Sequence, residues 1–266
     1  MINKIIIGVF ILFSINTQAQ DRLFTNTYQS NVLGKGQKEL EVWTTMRNQR
    51  LKYYRAFEHR LEFEVGLGSK LQTAFYLNYG YSKGIETAGN VDHLVAESAY
   101  SFANEWKLKL SDPTANRIGS AVYFEYTLRT EETELEAKII LDKQIGKVTQ
   151  ALNVSGEYEF KNEFSDNNDQ IVVNKEHEIK LNLNYGLAYQ LHKNFYLAME
   201  LSSNNLYEEN EWKFSVLSAG LGLSYNMSGF WVNLSCMPQI SNLITSNQEL
   251  SDNEKLQTRL IFSYVF

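Results

Sequence analysis

The sequence predicts an all-β fold: a transmembrane antiparallel up-and-down β-barrel of about twelve strands, with residues 20–266 forming one domain. Three observations predict it. Apolar and polar residues alternate with period two along much of the chain, the connections between alternating segments sort by length, and aromatic residues gather at segment ends. Successive strand side chains point to opposite faces, so only every second residue of a barrel need meet lipid. Membrane barrels also carry short turns at one rim, longer loops at the other, and aromatic girdles at both interfaces.

Composition agrees with this class. Beyond residue 20 no run of 18 or more apolar residues occurs, which excludes helical membrane spans. The mean hydropathy of -0.33 suits a barrel, because its lumen face is polar. Aromatics are abundant (Phe 15, Tyr 16, Trp 4), and only two prolines interrupt the chain, as long hydrogen-bonded ladders require. Cys236 is the single cysteine, so no intramolecular disulfide can form. A net charge of -6 with no basic cluster argues against nucleic acid as a partner.

In chain order, strands are expected near 37–46, 54–67, 71–81, 92–103, 117–128, 133–144, 147–160, 175–189, 194–204, 212–225, 229–239 and 255–266. The second is the clearest: Phe57, His59, Leu61, Phe63 and Val65 alternate with Glu58, Arg60, Glu62, Glu64 and Gly66. The sixth (Leu135, Ala137, Ile139, Leu141) and the eighth (Ile179, Leu181, Leu183, Tyr185) repeat the pattern. Tight connections at 68–70, 145–146, 192–193 and 226–228 mark one rim. Longer polar connections near 82–91, 161–174, 205–211 and 240–254 mark the other. Residues 104–116 depart from this scheme; either the fourth strand continues through Trp106, Leu108 and Leu110, or a short helix lies there. Tyr189, Phe195, Tyr225, Phe230 and Phe266 form one expected girdle, and Tyr79, Tyr81, Tyr126, Tyr158 and Phe160 lie toward the other.

The two ends of the chain add a location. Residues 1–19 read as a signal peptide: Lys4, then an apolar run of about eleven residues, then Thr17-Gln18-Ala19 as a small-residue cleavage site. Cleavage is expected after Ala19. At the other end Leu260, Phe262, Tyr264 and Phe266 share one face of KLQTRLIFSYVF, and the sequence stops on Phe. This resembles the terminal strand of Gram-negative outer-membrane β-barrel proteins, the strand that the barrel-assembly machinery recognises. With the Ala19-Gln20 junction and Glu-bearing strands such as AVYFEYT, the chain resembles the small outer-membrane barrels of Bacteroidota-like genomes. The resemblance implies export to the cell outer membrane, with outer-membrane lipid and the assembly machinery as partners, and little about substrate.

Inward-facing residues are the handle on function. The candidate pore-lining set is Glu58, Arg60, Glu62, Glu64, Glu125, Glu136, Lys138, Glu157, Lys180, Glu200 and Arg259, with further inward carboxylates at Glu39, Glu41, Glu134, Asp142 and Glu159. A buried unpaired carboxylate is costly, so most of these are expected to be hydrated. The leading reading is a narrow, passive, porin-like channel for small solutes with a preference for cations. The alternative is a non-conducting structural or adhesion barrel that displays outer loops, its lumen closed by Arg60, Lys138, Lys180 and Arg259 tying carboxylates together. An enzyme is not expected: His59 and His177 face outward, His192 lies in a turn, and no G-x-S-x-G occurs. No cofactor is expected. Nor is a metal: Asp166-Asn167-Asn168-Asp169 lacks the glycine and trailing Glu of a calcium loop, and no His/Cys spacing suits zinc.

Overall fold

A computed structural model describes residues 22–89, 91–167 and 170–266. The expected signal peptide lies outside the described residues, as do Asn168 and Asp169. Twelve strands form: β1 (Lys38–Asn48), β2 (Tyr54–Gly66), β3 (Leu71–Ala88), β4 (Val91–Ser111), β5 (Gly119–Leu128), β6 (Glu132–Ile145), β7 (Val148–Asn167), β8 (Gln170–His192), β9 (Phe195–Glu208), β10 (Glu211–Met227), β11 (Phe230–Asn242) and β12 (Leu256–Val265). Each pairs antiparallel with the next, and β12 returns to β1, closing the barrel. The seam is regular, with Glu39 opposite Val265 and Thr44 opposite Leu260, and it ends in reciprocal backbone bonds between Lys38 and Phe266 of 3.1 and 2.9 Å. Closure leaves no strand edge, as lipid demands. No helix occurs among the described residues.

The faces are inverted relative to a soluble protein. On β1, Glu39, Glu41 and Trp43 are buried while Leu40 and Val42 are exposed; on β12, Ile261 and Ser263 are buried while Leu260, Phe262, Tyr264 and Phe266 are exposed. Aromatic rings meet on the outer surface at both ends of the wall. Phe195 and Tyr225 lie 4.8 Å apart near one rim, and Tyr79 and Tyr100 lie 5.0 Å apart toward the other.

The start of β1, the end of β12 and the short turns lie at one rim, the periplasmic side in barrels of this class, called the inner rim below. Its turns at 146–147, 193–194 and 228–229 take two residues each, and Gly146 and Gly229 supply the positive φ of 58° and 73° that such turns need. Residues 104–116 follow the first of their two expectations. β4 runs on through Trp106, Leu108 and Leu110 to Ser111, and a turn over 112–118 follows. Asp112 organises that turn: one carboxylate oxygen accepts from Thr114 N at 2.9 Å and Ala115 N at 3.0 Å.

The outer rim differs from expectation. Three of its four long connections are paired strand: β3 and β4 stay paired up to Ala88 and Val91, β7 and β8 up to Asn167 and Gln170, and β9 and β10 up to Glu208 and Glu211. Glu209 and Asn210, with φ of 51° and 67°, close the last of these as a two-residue turn. Only the segment between β11 and β12 remains a long loop.

Candidate functional site

The lumen is divided across its middle. Residues 22–33, given no role in the sequence reading, rise from the start of β1 into the inner half and fill it. Phe24, 1% exposed, packs with Leu23 against Ala151, Ala188 and Ala198, and its ring occupies the space where a side chain at Gly186 would stand. Small residues on three neighbouring strands thus form a socket for one ring.

Polar contacts fasten the rest of the segment. The Glu200 carboxylate accepts backbone N–H bonds from Thr25 at 2.9 Å, Asn26 at 2.8 Å and Thr27 at 2.9 Å, and both threonine hydroxyls as well. Asn153 grips Tyr28 from both sides, accepting from its N–H at 2.6 Å and donating to its carbonyl at 2.9 Å. Gln72 accepts from Leu33 N at 2.9 Å, and Asn233 donates to the Arg22 carbonyl at 2.9 Å. Arg259 reaches down from β12 to the Thr25 carbonyl and the Asn26 side chain, each at 3.0 Å. The Arg22 guanidinium lies over the rings of Tyr28 and Trp43 at 4.2 and 4.4 Å.

Above this segment the lumen opens into a cavity of about 630 Å³, floored by Asn26, Tyr28, Trp43 and Tyr123. Among the described residues its wall carries six carboxylates (Glu58, Glu125, Glu134, Glu136, Glu157, Glu254) and five cations (Arg47, Arg60, Arg129, Lys138, Arg259). Their placement is uneven. Arg47, Arg60 and Arg259 come from β1, β2 and β12, which adjoin; Glu125, Glu134, Glu136 and Glu157 come from β5, β6 and β7, across the barrel. One wall is therefore rich in arginine and the facing wall rich in carboxylate.

The arginine wall is only partly neutralised. Arg47 bonds Glu58 at 2.7 Å and also pairs with Glu254. Arg60 donates to Asn78 at 2.9 Å and lies over the Tyr76 ring at 4.2 Å; Arg259 donates to Thr45 at 2.8 Å. On the facing wall Lys138 pairs with Glu136 at 3.0 Å, Asn182 donates to Glu157 at 2.5 Å, and Tyr123 donates to Glu125.

Of the residues singled out in the sequence, Glu58, Arg60, Glu125, Glu136, Lys138, Glu157 and Arg259 border the cavity. Lys180 lies one step further out than Asn182 and pairs with Glu159 at 2.5 Å. Glu62, Glu64 and Glu200 lie in the closed half, where they are buried. The expected hydration of the inward carboxylates thus fails in the inner half, because the N-terminal segment displaces water there. The expected ties also differ. Arg259 holds the segment and Thr45, and Arg60 lies over Tyr76 and Trp43 and bonds Asn78. Arg47 was missed because β1 was expected to end at 46. The segment itself was missed because it has no periodicity to read.

Cys236 is exposed on the lipid face. His59 and His177 also point outward, stacked on Tyr79 and Tyr158.

A family model described as a family of unknown function, DUF6662, matches residues 16–266, and the chain belongs to that family. No curated protein matches it in sequence. Among solved structures it is similar to an outer membrane channel from Pseudomonas putida F1, at 8% identity over 91% of this chain and 100% of that one, with a TM-score of 0.63. It is similar to the NanC porin at 10% identity, covering 85% and 98% of the two chains, with a TM-score of 0.54. The translocator domain of the autotransporter NalP from Neisseria meningitidis is also similar, at 10% identity over 89% and 91%, with a TM-score of 0.54. At such identities the likeness establishes the fold. The protein is an outer-membrane β-barrel with a lipid-facing apolar wall and a divided polar lumen.

Proposed function

We propose that this protein is an outer-membrane channel for small polar solutes, closed at rest by its own N-terminal segment. The observation that carries this reading is the pair of facing charged walls above a floor held largely by hydrogen bonds. A transverse field between arginine and carboxylate walls orients dipolar and zwitterionic solutes and keeps the passage wet. A purely structural barrel has no need of such a cavity, and side chains would fill it. Hydrogen bonds can be exchanged for water at small net cost, so the segment can leave the inner half without unfolding the wall. Expected cleavage after Ala19 makes Arg22 the third residue of the exported chain. The segment would then be tethered only at β1 and free to withdraw through the inner mouth.

Withdrawal would also change selectivity. The resting cavity is nearly balanced in charge, whereas the inner half holds Glu39, Glu41, Glu62, Glu64, Glu105 and Glu200 against few cations. An open passage would expose these carboxylates and favour cations, most strongly at low salt, since the Debye length falls to about 3 Å at 1 M.

The test is current through a planar bilayer. The full-length chain should show a low open probability, and deletion of residues 22–33 should give a stable open state with a reversal potential favouring K⁺ in a KCl gradient. Glu200→Gln should lie between them, because its amide nitrogen cannot accept the bonds that the carboxylate accepts. The closed inner half favours a second reading, a non-conducting barrel that displays its raised outer hairpins. Absence of current from both the full-length and the deleted chain, in folded heat-modifiable protein, would establish that reading in place of the channel.

A further inference from the structure

Glu39 and Glu41 on β1 stand opposite Glu64 and Glu62 on β2, so four carboxylates face one another in two cross-strand pairs. All four are buried in the closed half. Oxygens of Glu39, Glu41 and Glu64 lie within 4.8 Å of one another, a spread that one ion can bridge with bonds of about 2.3–2.6 Å.

The donors around them do not suffice. Trp43 Nε1 donates to Glu41 at 2.6 Å, Trp231 Nε1 and the Ser263 hydroxyl donate to Glu39, and Gln72 donates to Glu64 at 3.0 Å. Arg22 approaches Glu41 only to 3.9 Å. Glu39 Oε2 and both oxygens of Glu62 remain buried without a partner. The Glu62 side chain, 0% exposed, meets the Glu64 carboxylate, and two acidic groups in such contact need a shared proton or a cation. Glu105 adds a fifth buried carboxylate nearby, bonded by the Tyr76 hydroxyl. Were all five ionised, Arg22, Lys107 and Arg60 together would offset three, and the remaining two negative charges match one divalent cation. Buried charge persists only when it is paired or coordinates a metal. All these ligands are carboxylate oxygens, which select a hard cation, and their number suits calcium better than the stricter octahedron of magnesium.

We infer that Glu39, Glu41, Glu62 and Glu64 bind one calcium ion, which fastens β1 to β2 beneath the N-terminal segment. The site is structural, and its occupancy is independent of whether the barrel conducts. Because it is enclosed, the ion enters during folding, and the experiment must refold the chain with the ion present.

Trp43 and Trp231 each donate to a ligand carboxylate, so terbium bound in calcium's place lies close enough for energy transfer from their indoles. Full-length protein refolded from urea into detergent with Tb³⁺ should give green emission on tryptophan excitation, and Ca²⁺ should compete it away. Glu39→Gln and Glu62→Gln should each lower that emission several-fold, while Glu86→Gln, far out on β3, should leave it unchanged. In parallel, refolding with Ca²⁺ instead of a chelator should raise the melting temperature of the wild type and leave that of Glu62→Gln unmoved, even though that variant sheds an unpaired charge and gains stability outright. Wild-type protein without sensitised emission and without a Ca²⁺-dependent melting shift would overturn the proposal. So would emission that survives both ligand replacements and is lost in Glu134→Gln, which would place the ion among Glu132, Glu134 and Glu159 at the outer mouth.

Discussion

The two halves of the lumen share one wall and differ in how they handle charge. In the inner half a segment of the chain enters, water is displaced, and each carboxylate must find its donors in protein; Glu200 finds five. In the outer half a cavity of about 630 Å³ remains, and carboxylates face arginines across open space. The same residue type therefore serves as a fastener below and as a field source above. What decides between these roles is the presence of a second backbone within hydrogen-bond reach, since the strands supply similar side chains at both heights.

That contrast can be broken most sharply at Glu200. Glu200→Ala leaves several buried donors of the segment unsatisfied, each costing about 1–3 kcal/mol, so a loss of about 3 kcal/mol or more is expected in urea unfolding, with new protease cleavage near residues 22–33. Glu157→Ala, at the open cavity, should cost less than about 1 kcal/mol. Equal costs at the two positions would mean that the halves are equally wet.

A second comparison sets the lumen against the lipid face. Leu181 is exposed to lipid at mid-wall and Asn182 points inward. Arg at Leu181 should cost about 2–4 kcal/mol, and Arg at Asn182 far less. Folding yield into bilayers of both variants measures the difference, and similar yields would show the faces to be misassigned.

The socket of Phe24 gives a smaller effect. A methyl group at Gly186 would lie 2.7 Å from the Phe24 ring. Gly186→Ala should therefore loosen the segment at a cost of about 1–3 kcal/mol. The companion change Phe24→Leu should recover part of the loss in a double-mutant cycle, and strict additivity would show that the two do not touch.

The smallest effect lies outside the membrane, in the turn after β4. The Lys109 ammonium, with the Thr114 hydroxyl and the N–H groups of Ala115 and Thr114, holds the Asp112 carboxyl well below its ordinary value of 3.8. A depressed folded pKa gives stability that is present above the unfolded value and lost as pH falls through the folded one. Asp112→Asn should then be slightly less stable than wild type at neutral pH, by under about 1 kcal/mol because the group is exposed. The gap should close as pH drops below about 4, where the wild-type carboxyl begins to protonate in the unfolded chain. A gap that widens in acid would contradict this account.

The wall was legible in the sequence and the filling was not. Alternation such as Phe57 to Val65 fixes which face meets lipid, because a one-residue slip would turn every side chain over. Above the membrane both faces of a strand meet water, the alternation stops, and Ser82 to Val91 reads as loop although Ser82 to Ala88 pair with Val91 to Glu97. Alternation also assigns a residue to the lumen without giving its height, so Glu62 and Glu136 look alike in the sequence and lie in different halves. Residues 22–33 carry no period, and their partners lie as far off as Asn233 and Arg259. The one local trace is the set of small inward residues, Ala151, Gly186, Ala188 and Ala198, which mark a space to be filled without naming what fills it.

The seam between β1 and β12 has a consequence for how the molecule is made. Thr25 and Asn26 near the start of the chain are held by Ser235, Gln257 and Arg259 near its end. Contacts between residues this far apart in sequence form late and fold slowly. Thr25 and Asn26 therefore wait, without these partners, until β12 arrives. A closed wall admits no sideways entry, so the inner mouth is the doorway left to them once the seam has zipped shut. The wall can therefore close before it is filled, and the doorway that lets the segment leave is the one that lets it complete the molecule.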